Sequence, residues 1–350
     1  MPDLPEKPLA DDAAMDLALN ELGWVGNSPE ATAVNELRTY LEANNGIEGL
    51  EVVSPEEVDK ATQLFYRDGF VAVRDVLTTS ELDYIRGGCD RVIHEIVSRD
   101  KNRAGNRGSH RYSFGGASLT GHLAHEPEWA MLIDLPSITP ILTSIFGSSD
   151  YIARGGGGDF CLPGAVDYQH LHSDMNNRRV IKRPDGSEHT IGSFHDPRGQ
   201  LTYRDLPCPY VCCNFLTIDV TPINGPTRQI PGTQHSHDHI PKLSEEPDWM
   251  KLSTVCPAPA GSVLMRDVRA WHGGTPNLSH EVRSLPNAEF FAPWYRERIP
   301  ISMPRSIYDN LSEHGKWISR YIVADKGEEL VTGYREDLGN FLVNFRAPKA

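Results

Sequence analysis

The order of apolar and polar positions divides the chain into helix-rich ends around a strand-rich middle. Ala13–Leu22 and Ala31–Leu41 carry helix formers punctuated by Pro and Gly, which predicts a polar, mostly helical extension over residues 1–54. Ser54-Pro55-Glu56-Glu57 reads as a helix start: Ser as N-cap, Pro at the first helical position, acids in the first turn. That helix is expected to run to about Arg67 and to stop at Asp68-Gly69. Phe70-Val71-Ala72-Val73 follows as a short strand. Thr78–Arg99 opens on another capping residue and continues as a helix, weakened in its middle by Gly87-Gly88. Asp100–Gly116, charged and glycine-rich, is expected to be a loop, and Pro136–Phe146 a helix closed by Gly147.

Beyond residue 150 the period shortens. Tyr210–Val220 and Ala260–Met265 are short apolar runs rich in aromatic or β-branched residues, separated by turns such as Thr221–Thr227. Met175–Asp205, rich in Asn, Arg, Pro, Gly and Asp, is too long for an ordinary connection and reads as a lid-like loop. Ser306–Ser319 and Glu328–Leu342 look helical, suited to bracing a sheet or building a dimer contact, and Trp294-Tyr295-Arg296 reads as packing. The expected organisation is an extension (1–54), a central domain (55–300) carrying the 175–205 loop, and a helical C-terminal part (301–350) packed on it.

Composition narrows the partners. Acids outnumber bases by 48 to 34, a net charge of −14, which argues against a nucleic-acid footprint. The six cysteines include no C-x-x-C pair and read as scattered reduced thiols. No apolar run approaches the ~20 residues of a membrane span, and the acidic N-terminus lacks a secretory apolar core. A cytoplasmic monomer or homodimer acting on a small molecule is expected.

Candidate chemistry concentrates in two segments. Tyr168–Asp174 (YQHLHSD) contains His172-Ser173-Asp174, an H-x-D triplet. On an extended segment alternate side chains leave from one face, so this imidazole and carboxylate can converge on one ion. Two-thirds of a facial triad of the non-haem Fe(II) type results, though the triplet alone is a weak signal. Arg266–Gly274 (RDVRAWHGG) then places His272 at the end of a strand run beside glycines that allow close approach, and Arg283 lies eleven residues on. A guanidinium is the natural bidentate partner of a carboxylate, so the set suits iron plus an organic acid.

Other segments invite weaker readings. Arg154 and Gly155–Gly158 fit no nucleotide-binding loop and read as a flexible turn before the H-x-D segment. His235, His237 and His239 alternate, but they lie between Pro-Gly and another Pro, so a loop is expected rather than a metal-binding strand. Arg178, Arg179, Lys182 and Arg183 could hold an anionic substrate group; a solvated loop is the plainer reading. The same holds for His110-Arg111-Tyr112.

Four pieces in order, FYRDGFVAVRDVL, QHLHSD, DVTPINGPTRQIPGTQ and RDVRAWHGGTPNLSHEVR, span about residues 60–295 and resemble the phytanoyl-CoA dioxygenase family of Fe(II)/2-oxoglutarate oxygenases. The resemblance implies a mainly β fold with flanking helices, a double-stranded β-helix (cupin-like jelly roll). It implies His172, Asp174 and His272 as iron ligands, Arg283 as the anchor of the distal 2-oxoglutarate carboxylate, and Gln169 and Thr227 as further co-substrate contacts. Strict alternation would put Gln169 on the face opposite His172, a tension that a twist or bulge would resolve. His170 is then pocket lining or a packed side chain, and with Arg178 and Arg179 a candidate substrate contact.

The implied cofactors are Fe(II), 2-oxoglutarate and O2, with ascorbate in support. Asp174 favours C–H oxidation over halogenation, for which related enzymes carry a small residue at that position. The expected activity is oxidation of an unactivated C–H bond in a small metabolite or natural-product intermediate, by hydroxylation, desaturation, epoxidation or rearrangement. Alternatives are an acyl-CoA hydroxylase, a non-catalytic cupin-like binder, and a zinc hydrolase on the same ligands, which would leave Arg283 without a role.

Overall fold

The computed structural model describes residues 1–2, 23–26, 28–100, 105–175, 179–182, 186–191, 194, 196–297, 299–336 and 338. Its strands are β1 (Val52–Val53), β2 (Phe70–Val73), β3 (Arg111–Ser113), β4 (Ile152–Cys161), β5 (Arg179–Lys182), β6 (Glu188–Ile191), β7 (Tyr210–Phe215), β8 (Arg228–Gln229), β9 (Val263–Asp267), β10 (His272–Gly273) and β11 (Arg283–Phe291). Seven form one open sheet in the order β1-β2-β9-β7-β11-β4-β3, antiparallel except for the β1–β2 pair. The short β8–β10 pair and an isolated antiparallel bridge between His172 and His272 supply the second layer of the double-stranded β-helix core.

The period of two sorts each strand of the large sheet by chemistry. On β7, Val211, Cys213 and Phe215 join the main hydrophobic core, whereas Tyr210, Cys212 and Asn214 line a cavity. On β11, Ala288 and Phe290 face the core, while Arg283, Leu285, Asn287 and Glu289 line the same cavity. One face of the sheet is therefore packing and the other is site.

Helices cover the apolar face: α1 (Thr32–Asn44), α2 (Val58–Asp68), α3 (Thr79–Arg99), α4 (Phe114–Ala117), α5 (Pro127–Ile133) and α6 (Thr139–Phe146) precede the strand-rich region, with α7 (Asp248–Leu252), α8 (Arg305–Tyr308) and α9 (Glu313–Ser319) later in the chain. α3 begins as expected: the Thr78 hydroxyl accepts from Glu81 N and the Glu81 carboxylate accepts from Thr78 N, a reciprocal cap. Gly88 inside it has a packing reason, since a Cβ there would lie 2.6 Å from Glu128 Cγ on α5. Helix α1 packs Val34, Leu37 and Leu41 against Val166 and Leu278, so this part of the N-terminal region is core, not appendage.

Several expectations are corrected. α2 starts at Val58 rather than beside Ser54, because Ser54 N donates to the Glu57 carboxylate (2.8 Å) across a non-helical turn. α6 starts at Thr139, not Pro136. His110–Tyr112 is not all loop, since Arg111 opens β3.

Gly155–Gly158 are not a turn. They lie within β4 where its neighbours come too close for side chains: a Cβ at Gly156 would meet Asn287 O at 2.5 Å, and one at Gly158 would meet Leu285 O at 2.0 Å. The 175–205 segment holds the β5–β6 hairpin. Ser306–Ser319 is two short helices, and the described residues from Glu328 onward contain none. The Ala13–Leu22 helix lies outside the described residues. No helix among the described residues is long and apolar enough to cross a membrane.

Candidate metal centre

His172, Asp174 and His272 converge: one ligand atom from each lies within 4.8 Å of the others, and this is the one His/Cys/Asp/Glu cluster of the kind among the described residues. His172 and His272 face each other across a two-way backbone pair, each N donating to the other's O at 3.0 Å, and Asp174 N donates to Val268 O (2.9 Å). Each imidazole has Nδ1 3.1 Å from the carbonyl two residues before it, His170 O or Ala270 O. That contact fixes the ring and turns Nε2 toward Asp174, at 3.5 Å for His172 and 3.4 Å for His272. Burial holds both imidazoles below their ordinary pKa, in the neutral form whose lone pair can bind a metal.

The carboxylate is prepared too. Arg266, on β9, lies 2.9 Å from Asp174 Oδ2 and 3.2 Å from His272 Nδ1. Burial pushes the Asp174 carboxyl up, but His272 and Arg266 outweigh it and hold it well below the usual carboxylate range. Two neutral imidazoles and one ionised carboxylate on the wall of a cavity of about 500 Å³ form a donor set that fits Fe(II).

The Gln169 tension resolves in the backbone. Gln169 N donates to Gly274 O, and His172 pairs with His272, both at 3.0 Å. His170 and Leu171 are thus set against Gly273 alone, one extra residue, which is a β-bulge. The bulge returns Gln169 to the cavity, where its Oε1 accepts from Gly274 N at 3.0 Å. Gly273 sits under it, since a Cβ there would lie 2.9 Å from Gln169 O.

Arg283 lines the same cavity, is buried, and has no hydrogen-bond or ion-pair partner among the described residues; its Nε is enclosed without an acceptor. Burial, reinforced by Arg111, pulls its pKa below the ordinary value. An arginine stays charged nonetheless, so the cost appears as a demand for an anion. Thr227 lines the cavity beside it. His170 is exposed and lies outside the cavity lining, Arg178 falls outside the described residues, and Arg179 opens β5. His235 and His237 sit near Arg204 O (2.6 Å) and Asp205 Oδ1 (3.1 Å), apart from any shared centre, in the loop expected of them.

Sequence reasoning did not pick out Arg111, Arg266, Arg154 or Glu289 as site residues, yet all four line the cavity. Strand parity would have found three of them. Arg266 is a charge ending the apolar run Val263–Met265, Glu289 alternates with Ala288 and Phe290, and Arg111 precedes the buried Tyr112.

The sequence pattern of the phytanoyl-CoA dioxygenase (PhyH) family matches residues 65–285. Among solved structures the chain is similar to HygX from Streptomyces hygroscopicus with nickel, 2-oxoglutarate and hygromycin B bound, at 17% identity and a TM-score of 0.46, covering 68% of this chain and 88% of that one. It is also similar to the α-ketoglutarate-dependent epimerase SnoN from nogalamycin biosynthesis (16% identity, TM-score 0.44, 69% and 86% covered). A third similar structure is the carbocyclase SnoK from the same biosynthesis (15%, 0.42, 69% and 90%). The family match spans nearly two-thirds of the chain and contains the H-x-D triplet, His272 and Arg283; the chain belongs to the phytanoyl-CoA dioxygenase family, a family of Fe(II)- and 2-oxoglutarate-dependent oxygenases.

Proposed function

We propose that His172, Asp174 and His272 hold one Fe(II), that Arg283 anchors the distal carboxylate of 2-oxoglutarate with Gln169 and Thr227 at its sides, and that the enzyme oxidises an unactivated C–H bond of a small metabolite or natural-product intermediate. The observation that carries this reading is the pairing, in one cavity, of a neutral-His/Asp/neutral-His set with a buried arginine that lacks a counter-ion. When bound, the iron couples oxidative decarboxylation of 2-oxoglutarate to succinate and CO2 with oxidation of the substrate.

The chain's own residues have separate tasks. The two backbone-tethered imidazoles and the Arg266-held carboxylate fix a facial geometry before metal arrives, which lowers the ordering cost of binding. Arg283 sets the direction of the co-substrate, and the strand row behind the site restricts water.

The test is succinate release by anaerobically purified protein given Fe(II), ascorbate, 2-oxoglutarate and air, with and without pooled metabolite extract. Succinate that rises with extract is expected. No succinate in any mixture, with iron bound, would reject the oxygenase reading.

A further inference from the structure

Sheet register separates the cavity into two ends. Arg283 and Glu289 are six residues apart on β11, roughly 20 Å along the strand. Glu289 pairs in register with Cys212, and Cys212 with Arg266, so Glu289 lies on the same cross-strand row as the arginine that holds Asp174. Two strand spacings put that row's ends about 10 Å apart. The Glu289 end thus flanks the metal carboxylate, on the side away from the co-substrate arginine.

This end is polar and built. Glu289 is ion-paired with Arg154 from β4, whose guanidinium is stacked over the Tyr210 and Phe291 rings, 5.4 and 5.9 Å from their centroids. Glu297 lines the same end and its charge acts on Arg154. His122 packs its ring against Gly155, where a Cβ would lie 2.6 Å from its Nδ1. Burial pushes Glu289 up, but Arg154 outweighs it, so the carboxylate stays ionised. Arg154 Nε is buried without a hydrogen-bond partner among the described residues. One guanidinium against two carboxylates leaves this end with an excess of negative charge. An alkyl chain laid here would strip water from these groups and return no hydrogen bond, an unfavourable exchange for each of them.

We propose that Arg154, Glu289 and Glu297 form the substrate subsite and that the substrate is a polyhydroxylated amine, its ammonium directed to the carboxylates and its hydroxyls to Arg154. This rests on the oxygenase reading above and deepens it. The subsite assigns the acidic end to the substrate and the cationic end to 2-oxoglutarate, and it excludes a fatty acyl chain as the group beside the metal.

The test uses the full chain under anaerobic conditions with Fe(II) and 2-oxoglutarate, and three probes: glucosamine, glucose and octanoyl-CoA. Visible charge-transfer absorption of the iron–2-oxoglutarate complex is recorded first; its absence would fail the underlying reading and leave the subsite argument aside from the cause. With the band present, each probe is titrated by calorimetry. The expected order of affinity is glucosamine, glucose, octanoyl-CoA, and Glu289→Gln is expected to weaken glucosamine roughly tenfold or more while changing glucose by less than about threefold. Arg154→Met, which removes the hydroxyl-directed donor, is expected to weaken both sugars. The proposal is overturned if octanoyl-CoA binds tighter than glucosamine, if glucosamine does not bind, or if Glu289→Gln lowers the melting temperature without changing the glucosamine-to-glucose ratio.

Discussion

His122 shows what one buried side chain contributes to the behaviour of the whole. Burial, reinforced by the Arg154 charge and opposed by Glu289, pushes its pKa down to about 4. An unfolded histidine titrates near 6.5, so between those values the unfolded chain binds a proton that the folded chain refuses. Stability from this group is whole above about pH 6.5 and falls as pH drops toward 4, by roughly 3 kcal/mol at the end of the window. Glu289, with its pKa lowered, adds a separate loss only at still more acidic pH. Urea unfolding from pH 7.5 to 4.5 is expected to show the decline, and His122→Asn to flatten it; an unchanged pH profile in the variant would refute the assignment. At this scale the metal ligands and Arg283 were legible because their residue types and order are chemically specific. Arg111, Arg266 and Glu289 were not, since a charge in a strand declares its role only once the strand's inward face is known.

The segment that carries the H-x-D triplet is held by a buried ion pair. Arg228 on β8 and Glu246 have fully buried side chains and bond each other; Arg228 also donates to Gln169 O, and Glu246 accepts from Leu171 N at 3.3 Å. The pair therefore clamps both sides of the bulge that sets Gln169 and His172. Glu246→Gln leaves a buried guanidinium without its counter-charge and is expected to cost about 3 kcal/mol, read as a lower urea midpoint at unchanged slope. A loss under about 0.5 kcal/mol would show the clamp to be dispensable.

Element ends marked by glycine, such as Gly69 and Gly147, were legible because each adopts a left-handed backbone at a helix C-terminus. The Gly155–Gly158 run was not. Its reason lies across the sheet, in the carbonyls of Leu285 and Asn287, and nothing local distinguishes it from a turn.

At the scale of the molecule, period-two strands within 150–295 and helices toward the ends predicted the layered fold, and the motif order predicted the site. The expected C-terminal helix from Glu328 failed because helix-forming residues there meet no apolar partner face: Glu328 and Glu329 are exposed and the described chain runs extended. The same layering makes the site's two ends chemically unlike, the cations Arg111 and Arg283 at one and the Arg154–Glu289 pair at the other.

The measurement that bears most directly on this assignment is an anaerobic titration with Fe(II) followed by 2-oxoglutarate, watched in the visible for charge-transfer absorption. Wild-type protein is expected to bind one iron and to develop the band. His172→Ala should lose the band, and Arg283→Gln should need roughly 100-fold more 2-oxoglutarate to reach it, the loss of a charged bidentate contact. A band that persists undiminished in His172→Ala, or a 2-oxoglutarate requirement unchanged in Arg283→Gln, would contradict the triad and the anchor respectively.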